Sequence, residues 1–150
     1  MAARPGAVLF MCSMNTVRSP MAASLLRYVA GKSLYVASAG VRKGEADGFT
    51  IAAMDELGLD IAKHRAQTVE ELEDFEGFNF DLLVSLSPEA HHKALEFTRT
   101  MAVDVEYWPT FDPSTQQGSR EQILDAYRTV RDQLLARIRK RFAPAPAAGD

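Results

Sequence analysis

The sequence predicts an α/β fold: a four-stranded parallel sheet with helices on both faces. Three observations lead there. Short runs rich in apolar residues, Val8–Met11, Leu34–Ser38, Phe80–Ser85 and Ala102–Tyr107, alternate with longer stretches of helix formers. The first of them, Val8–Met11, is apolar at every position, as in a strand covered on both faces of a sheet. The first two bracket one helical stretch within about thirty residues, the spacing of a βαβ unit, and such crossovers are almost always right-handed.

The composition fits one domain. A chain of 150 residues, 47% hydrophobic and 25% charged, can bury a full core. The domain is expected over residues 1–142, with the proline-alternating end Ala143–Asp150 as a disordered tail. A net charge of −3 argues against a nucleic-acid partner. No apolar stretch approaches membrane-spanning length, and residues 1–11 lack the charged and apolar regions of a signal peptide. One cysteine excludes an intrachain disulfide and suits a reducing cytoplasm. A cytoplasmic protein, monomeric or weakly dimeric and away from membranes, is the expectation.

The first strand ends on Cys12, and the loop Ser13–Arg18 leads into a helix. Ser19 reads as its N-cap and Pro20 as its first residue, because proline's missing N–H has no partner to lose there. Helix formers continue from Met21 to Ala30, and Gly31 can end the helix in the left-handed conformation. The loop thus lies between a strand C-terminus and a helix N-terminus. N–H groups converge there and the helix dipole is positive, so Ser13, Met14, Asn15, Thr16, Val17 and Arg18 form a phosphate-binding loop. The same environment favours the thiolate form of a cysteine. Cys12 facing this cradle can attack a phosphate ester while Arg18 holds two oxygens bidentately, a geometry lysine cannot match. A lone cysteine is often core filler. The apolar strand, Cys-x5-Arg-Ser-Pro and the following helix together single out Cys12 as a nucleophile, with Ser19 able to donate its hydroxyl to the sulfur.

This stretch resembles the signature of the low-molecular-weight protein tyrosine phosphatases, a strand followed by Cys-x5-Arg-Ser-Pro. Cys12, Arg18, Ser19 and Pro20 match it, and Asn15 stands at its usual internal position. Two positions depart from the family pattern: Met14 where glycine is usual, and Val17 where many members have a second cysteine. The resemblance implies the predicted fold, which arsenate reductases share, and catalysis through a cysteinyl phosphate with no cofactor and no metal.

Leu34–Ser38 is the second strand, broken by Gly40, and Ser38-Ala39-Gly40 matches a family segment close to the phosphate loop. Val41–Phe49 is a polar loop. In the family it supplies an aromatic wall to the pocket, so Phe49 is either that wall or a loop residue beside a helix start. Thr50 can cap a helix over Ile51–Leu57, ended by Gly58, with Ile51, Met54 and Leu57 as its core stripe. His64-Arg65-Ala66-Gln67 resembles a family stretch whose histidine hydrogen-bonds the loop asparagine. By its residues alone His64 also reads as a partly exposed histidine in a connection. The resemblance implies a bridge from His64 to Asn15, holding Asn15 in the left-handed conformation. Thr68-x-x-Glu71 is a capping box before a short acidic helix.

Phe80–Ser85 is the third strand, and Ser87-Pro88 opens a capped helix to about Arg99. The family usually has Met-Asp near here, where this chain has Leu86-Ser87. His91 and His92 are adjacent, point apart on a helix and lack partners at ligand spacing for zinc. Ala102–Tyr107 is the fourth strand. It runs into Trp108-Pro109-Thr110-Phe111-Asp112-Pro113, an irregular segment fixed by two prolines.

By its residues alone, Asp112-Pro113 is first a turn dipeptide and second a carboxylate able to protonate a leaving oxygen and then activate water. It matches the family's Asp-Pro motif, so the resemblance implies that Asp112 does both. Ser114-Thr115 follows where eukaryotic members carry two tyrosines flanking an aromatic substrate. Ser119-x-x-Gln122 caps the last helix, whose apolar face is Ile123, Tyr127, Val130, Leu134 and Ile138. Arg137, Arg139, Lys140 and Arg141 crowd its C-terminal end, where cations suit the dipole.

The resulting expectation is a phosphatase acting on a phosphorylated protein, with phosphotyrosine as the implied substrate, or on a small phosphate monoester. Two alternatives stay open. One is an arsenate reductase drawing on an external thiol, because the thioredoxin-coupled kind relays oxidation through additional cysteines. The other is a non-catalytic oxyanion-binding regulatory protein.

Overall fold

Successive residues of a strand face opposite ways, and the first strand of the computed structural model, β1 (Ala7–Cys12), buries both sets. Val8, Phe10 and Cys12 face helices α1 (Arg18–Ala30) and α5 (Arg120–Phe142), meeting Leu25, Leu26, Leu134 and Ile138. Leu9 and Met11 face α3 (Val69–Glu76) and α4 (Pro88–Phe97), meeting Val69, Leu72, Ala90 and Ala94. The structure describes residues 5–142, so the expected tail Ala143–Asp150 lies outside the described residues.

The sheet has four parallel strands in the order β2-β1-β3-β4, with β2 Tyr35–Gly40, β3 Leu82–Ser85 and β4 Asp104–Tyr107. Helices cover both faces, as predicted. Chain direction away from β1 reverses between β2 and β3, so β1 and β3 flank the switch point where such sheets bind ligands. Register brings Cys12 opposite Gly40, and Met11 opposite Ser85, which is itself opposite Tyr107. The carboxyl ends therefore finish level with one another. No helix among the described residues is long and apolar enough to cross a membrane.

Three caps agree with the sequence reading. Thr68 and Glu71 form a reciprocal box, Ser87 accepts from Ala90 N–H ahead of Pro88, and Ser119 and Gln122 exchange bonds of 2.7 and 3.1 Å. Two expected caps are different. Helix α1 starts at Arg18, with Val17 before it and no side-chain cap, because Ser19 is turned inward to the sulfur of Cys12. Pro20 then sits in the first turn rather than at its first position, and still sacrifices no helical hydrogen bond.

Helix α2 (Gly48–Asp55) is capped by Asp47, whose carboxylate accepts from Phe49 and Thr50 N–H at 2.9 and 3.1 Å. An earlier start means an earlier end. Leu57 lies outside the helix and is exposed, and the buried stripe is Thr50, Ala53 and Met54. At the edges, β2 continues through Gly40, β4 begins at Asp104 rather than Ala102, and α4 stops at Phe97. On α5, Tyr127, Val130, Leu134 and Ile138 are buried, as is Arg131, which donates to the Ala53 carbonyl at 2.8 Å and to Glu56 at 2.8 Å.

Candidate active site

The loop after β1 is shaped by where its carbonyls go. Those of Cys12, Ser13 and Met14 accept from the N–H groups of Val41, Arg42 and Gly44 at 3.2, 2.8 and 3.1 Å, and that of Asn15 pairs with His64 Nε2 at 2.9 Å. The C=O and N–H of one peptide plane point in opposite directions. Each outward carbonyl therefore turns the next N–H inward, those of Ser13, Met14, Asn15 and Thr16. The Asn15 N–H points at Cys12 Sγ, 3.2 Å away. Those of Ser13, Met14 and Thr16 meet no protein acceptor among the described residues. A ring of inward donors at a helix N-terminus is an oxyanion cradle.

Asn15 makes the tight turn possible. It is the one non-glycine at positive φ among the described residues, at 55°, a conformation asparagine tolerates better than most side chains. Its Nδ2 donates to Ser19 Oγ and Ser38 Oγ at 2.8 and 3.0 Å, and its Oδ1 accepts from Gln67 N–H at 2.9 Å. His64 thus holds the main chain of Asn15, while Ser19, Ser38 and Gln67 hold its side chain. Gly40 lies against this turn: a Cβ there would stand 2.3 Å from the Arg42 carbonyl and 2.9 Å from Asn15 N. Met14 keeps a negative φ, so it needs no glycine. Its side chain rests against Gly44, where a Cβ would come within 3.1 Å of Met14 Cε and 3.3 Å of Thr16 Cγ2.

Cys12 is 2% exposed, with Ser19 Oγ 2.9 Å from its sulfur. Above it opens a cavity of about 40 Å³ lined by Cys12, Met14, Thr16, Val17, Arg18, Asp112 and Ser114. That is enough to admit solvent. Arg18 is buried; its Nη1 donates to the Thr110 carbonyl at 3.1 Å, and its Nη2 lies 3.8 Å from Asp112 Oδ2. The other carboxylate oxygen, Oδ1, accepts from Ser114 N–H at 3.0 Å and Ser114 Oγ at 2.7 Å, closing the turn Pro113–Thr115. Thiol, guanidinium, inward N–H groups and a carboxylate surround one small space. The arrangement can hold a tetrahedral oxyanion against sulfur, with an acid or base beside it.

Of the residues expected at the site, Cys12, Met14, Thr16, Val17, Arg18 and Asp112 line this cavity, whereas Ser13, Asn15, Ser19 and His64 do not and instead belong to the loop or bond to it. Val17 lines it but buries most of its side chain with Ala53 and Tyr127. Phe49 does not line it. It packs on Tyr127 with ring centroids 5.4 Å apart, so it braces α2 against α5. The Tyr127 hydroxyl donates to Asp47 Oδ2 at 2.7 Å, and burial with that carboxylate raises its pKa far above the usual phenol range. Ser38, Gln67, Ser87 and Thr110 are further residues that hold the loop and Arg18 in place. Ser87 Oγ lies 3.0 Å from Ser13 Oγ and ties the loop to α4. Local pattern could not reveal these partners, because each acts across a long stretch of chain.

Comparison with known proteins agrees with this geometry. The model of the low molecular weight phosphotyrosine protein phosphatase family matches residues 7–143. A glutaredoxin arsenate reductase of Synechocystis is 29% identical over 136 residues, spanning 91% of this chain and 95% of the relative. An arsenate reductase of Bacillus subtilis is 31% identical over 136 residues, spanning 91% of this chain and 94% of the relative. Among solved structures, a low molecular weight protein tyrosine phosphatase from T. tengcongensis superposes with a TM-score of 0.71 at 27% identity, covering 89% of this chain and 95% of that one. Phosphatases and arsenate reductases therefore share the architecture found here. A family model spanning nearly the whole chain, over the same strand, cradle and acid-bearing turn, shows that the chain belongs to the low molecular weight phosphotyrosine protein phosphatase family.

Proposed function

We propose that the protein is a cysteine-dependent phosphatase that hydrolyses phosphate monoesters through a cysteinyl-phosphate intermediate. One observation carries this reading: the Asp112 carboxylate borders the cavity above Cys12, with Oδ2 on the side of Arg18 at 3.8 Å. A monoester expels an alkoxide or phenoxide, which needs a proton, and a carboxyl at the cavity mouth can supply it. A pure binding site gains nothing from an acid there.

In the first step Cys12 sulfur attacks phosphorus, the S–P bond forms, the ester P–O bond breaks, and the leaving oxygen takes the proton of Asp112. In the second, Asp112 accepts a proton from water as its oxygen attacks phosphorus, and the S–P bond breaks to return the thiolate. The N–H groups of Ser13, Met14 and Thr16, with Arg18, hold the equatorial oxygens. Asn15, Ser19 and His64 keep the loop in shape through the bonds described above. Within the monoesters we infer protein phosphotyrosine as the substrate class, a reading supported by the family to which the chain belongs and not by the rim of the cavity. The cavity is rimmed by Met14, Thr16 and Ser114 rather than by rings. The site therefore grips the phosphate more than the aromatic group it leaves.

A second reading is arsenate reduction, favoured by the names of the two relatives above. This chain carries one cysteine. Arsenate bound to Cys12 would have to be released by a thiol from another molecule. The test is p-nitrophenyl phosphate hydrolysis without added metal, wild type beside Cys12→Ser, followed by arsenate with glutathione and a glutaredoxin. Cys12-dependent hydrolysis blocked by vanadate supports the phosphatase. Arsenate-dependent thiol oxidation without hydrolysis selects the reductase.

A further inference from the structure

We propose that Ser114 is a positioning residue for Asp112, fixing which carboxyl oxygen carries the transferable proton. The proposal rests on the phosphatase reading above. A carboxyl oxygen has two in-plane lone-pair directions. Asp112 Oδ1 already receives two donors, Ser114 N–H at 3.0 Å and the Ser114 hydroxyl at 2.7 Å. A proton on Oδ1 would displace one of them. The proton therefore belongs on Oδ2, the oxygen 3.8 Å from Arg18 Nη2.

The Ser114 donors set the plane of the carboxyl, and the turn fixes the main chain that presents it. Pro113 has a ring-locked φ, and the Asp112 carbonyl accepts from Thr115 Oγ1 at 2.8 Å and from Thr115 N–H at 3.3 Å. The backbone N–H of Ser114 alone is enough to close such a turn. Its hydroxyl is the added element, and it lies on the cavity itself. In the forward step, the Oδ2–H bond breaks as the leaving oxygen gains the proton, and Oδ1 keeps both donors throughout. In the return step, water's proton arrives at the same Oδ2.

The test compares Ser114→Ala, Ser114→Thr and Asp112→Asn on p-nitrophenyl phosphate, whose leaving group needs little protonation, and on phenyl phosphate, whose leaving group needs it. Ser114→Ala is expected to lose about tenfold in kcat/KM on phenyl phosphate, the scale of one hydrogen bond to a reacting carboxyl. This parameter reports only the steps through departure of the leaving group. On p-nitrophenyl phosphate kcat/KM should change little, phosphate inhibition should be unchanged, and Ser114→Thr should restore the rate. In the Asp112→Asn background, Ser114→Ala should cost nothing further. Equal losses on both esters, no loss, or an undiminished loss in the Asp112→Asn background would overturn the assignment. If Asp112→Asn is selective for the poor leaving group while Ser114→Ala is silent, the positioning role falls and the phosphatase reading stands. If Asp112→Asn is unselective, the acid assignment falls and takes this one with it.

Discussion

Replacing Asn15 by alanine removes three side-chain hydrogen bonds from a fully buried site: those to Ser19, Ser38 and the Gln67 N–H. At about 1 kcal/mol net for each, the loss is about 3 kcal/mol. Alanine at a φ of 55° adds about 1 kcal/mol of backbone strain. The expected destabilisation is about 4 kcal/mol, a large share of the 5–15 kcal/mol that holds most domains. Asn15→Gly loses the same bonds without the strain of a Cβ at positive φ, so it should recover about 1 kcal/mol of that cost. Urea denaturation of the three proteins, with and without saturating phosphate, measures both differences. Phosphate should protect wild type more than either variant, because binding stabilises only a cradle that is already formed. If Asn15→Ala stays within about 1 kcal/mol of wild type, or if glycine is no better than alanine, the side chain does not hold the loop as argued.

Arg18→Lys keeps the charge but gives up the bond to Thr110 and the two-pronged grip on an oxyanion. Its kcat/KM on p-nitrophenyl phosphate should fall at least about a hundredfold, and a loss under tenfold would argue against bidentate binding. Glu56 has its carboxyl held at about 2 by hydrogen bonds from Arg128 and then Arg131. A depressed folded pKa means that its stabilisation is complete above the unfolded value of 4.5 and lost as pH falls toward 2. Thermal melts from pH 6 to 2 should therefore show a shallower acid limb for Glu56→Gln, and identical limbs would contradict the pairing. Peroxide should take Cys12 to the sulfenic acid and, without an external thiol, onward irreversibly, since no second cysteine in the chain can trap it. Mass spectrometry finding one stable, reversible intramolecular sulfur product would refute that.

Much of the architecture was legible because its signals are local. Val8–Met11 announces a doubly covered strand by composition, and the structure buries its two faces against two separate helix pairs. Ser87-Pro88 and Thr68-x-x-Glu71 announce helix starts, because their partners lie within one turn. Local signals mislead where a distant partner competes for the same group. Ser19 has every local reason to cap a helix, yet the buried sulfur of Cys12 and the amide of Asn15 claim its hydroxyl. Thr50 and Asp47 are both competent caps. Asp47 also takes the Tyr127 hydroxyl from α5, a contact that no window around residue 50 contains. The site was legible in outline for the same reason. Cys12 through Arg18 are contiguous, whereas Ser38 and Gln67 reach Asn15 from elsewhere in the chain.

The way the loop is held bears on what it can do to a bound oxyanion. Three of its carbonyls are fixed by the segment Val41–Gly44 and the fourth by His64. The inward direction of its N–H groups is thus set before any anion arrives, by contacts outside the cradle. Donors already aimed cost no reorganisation when charge develops on the equatorial oxygens, which is where such a site gains most of its rate. The same logic explains how Met14 fits at a position where glycine is usual. The loop asks for positive φ one residue later, at Asn15, and Gly44 leaves space for the longer side chain. Arg18 completes the enclosure by donating to the Thr110 carbonyl, so the turn that carries Asp112 is registered against the loop through a residue that itself lines the cavity. The loop and the Asp112 turn are therefore tied through one guanidinium, and a change that shifts the Thr110 main chain should disturb both together.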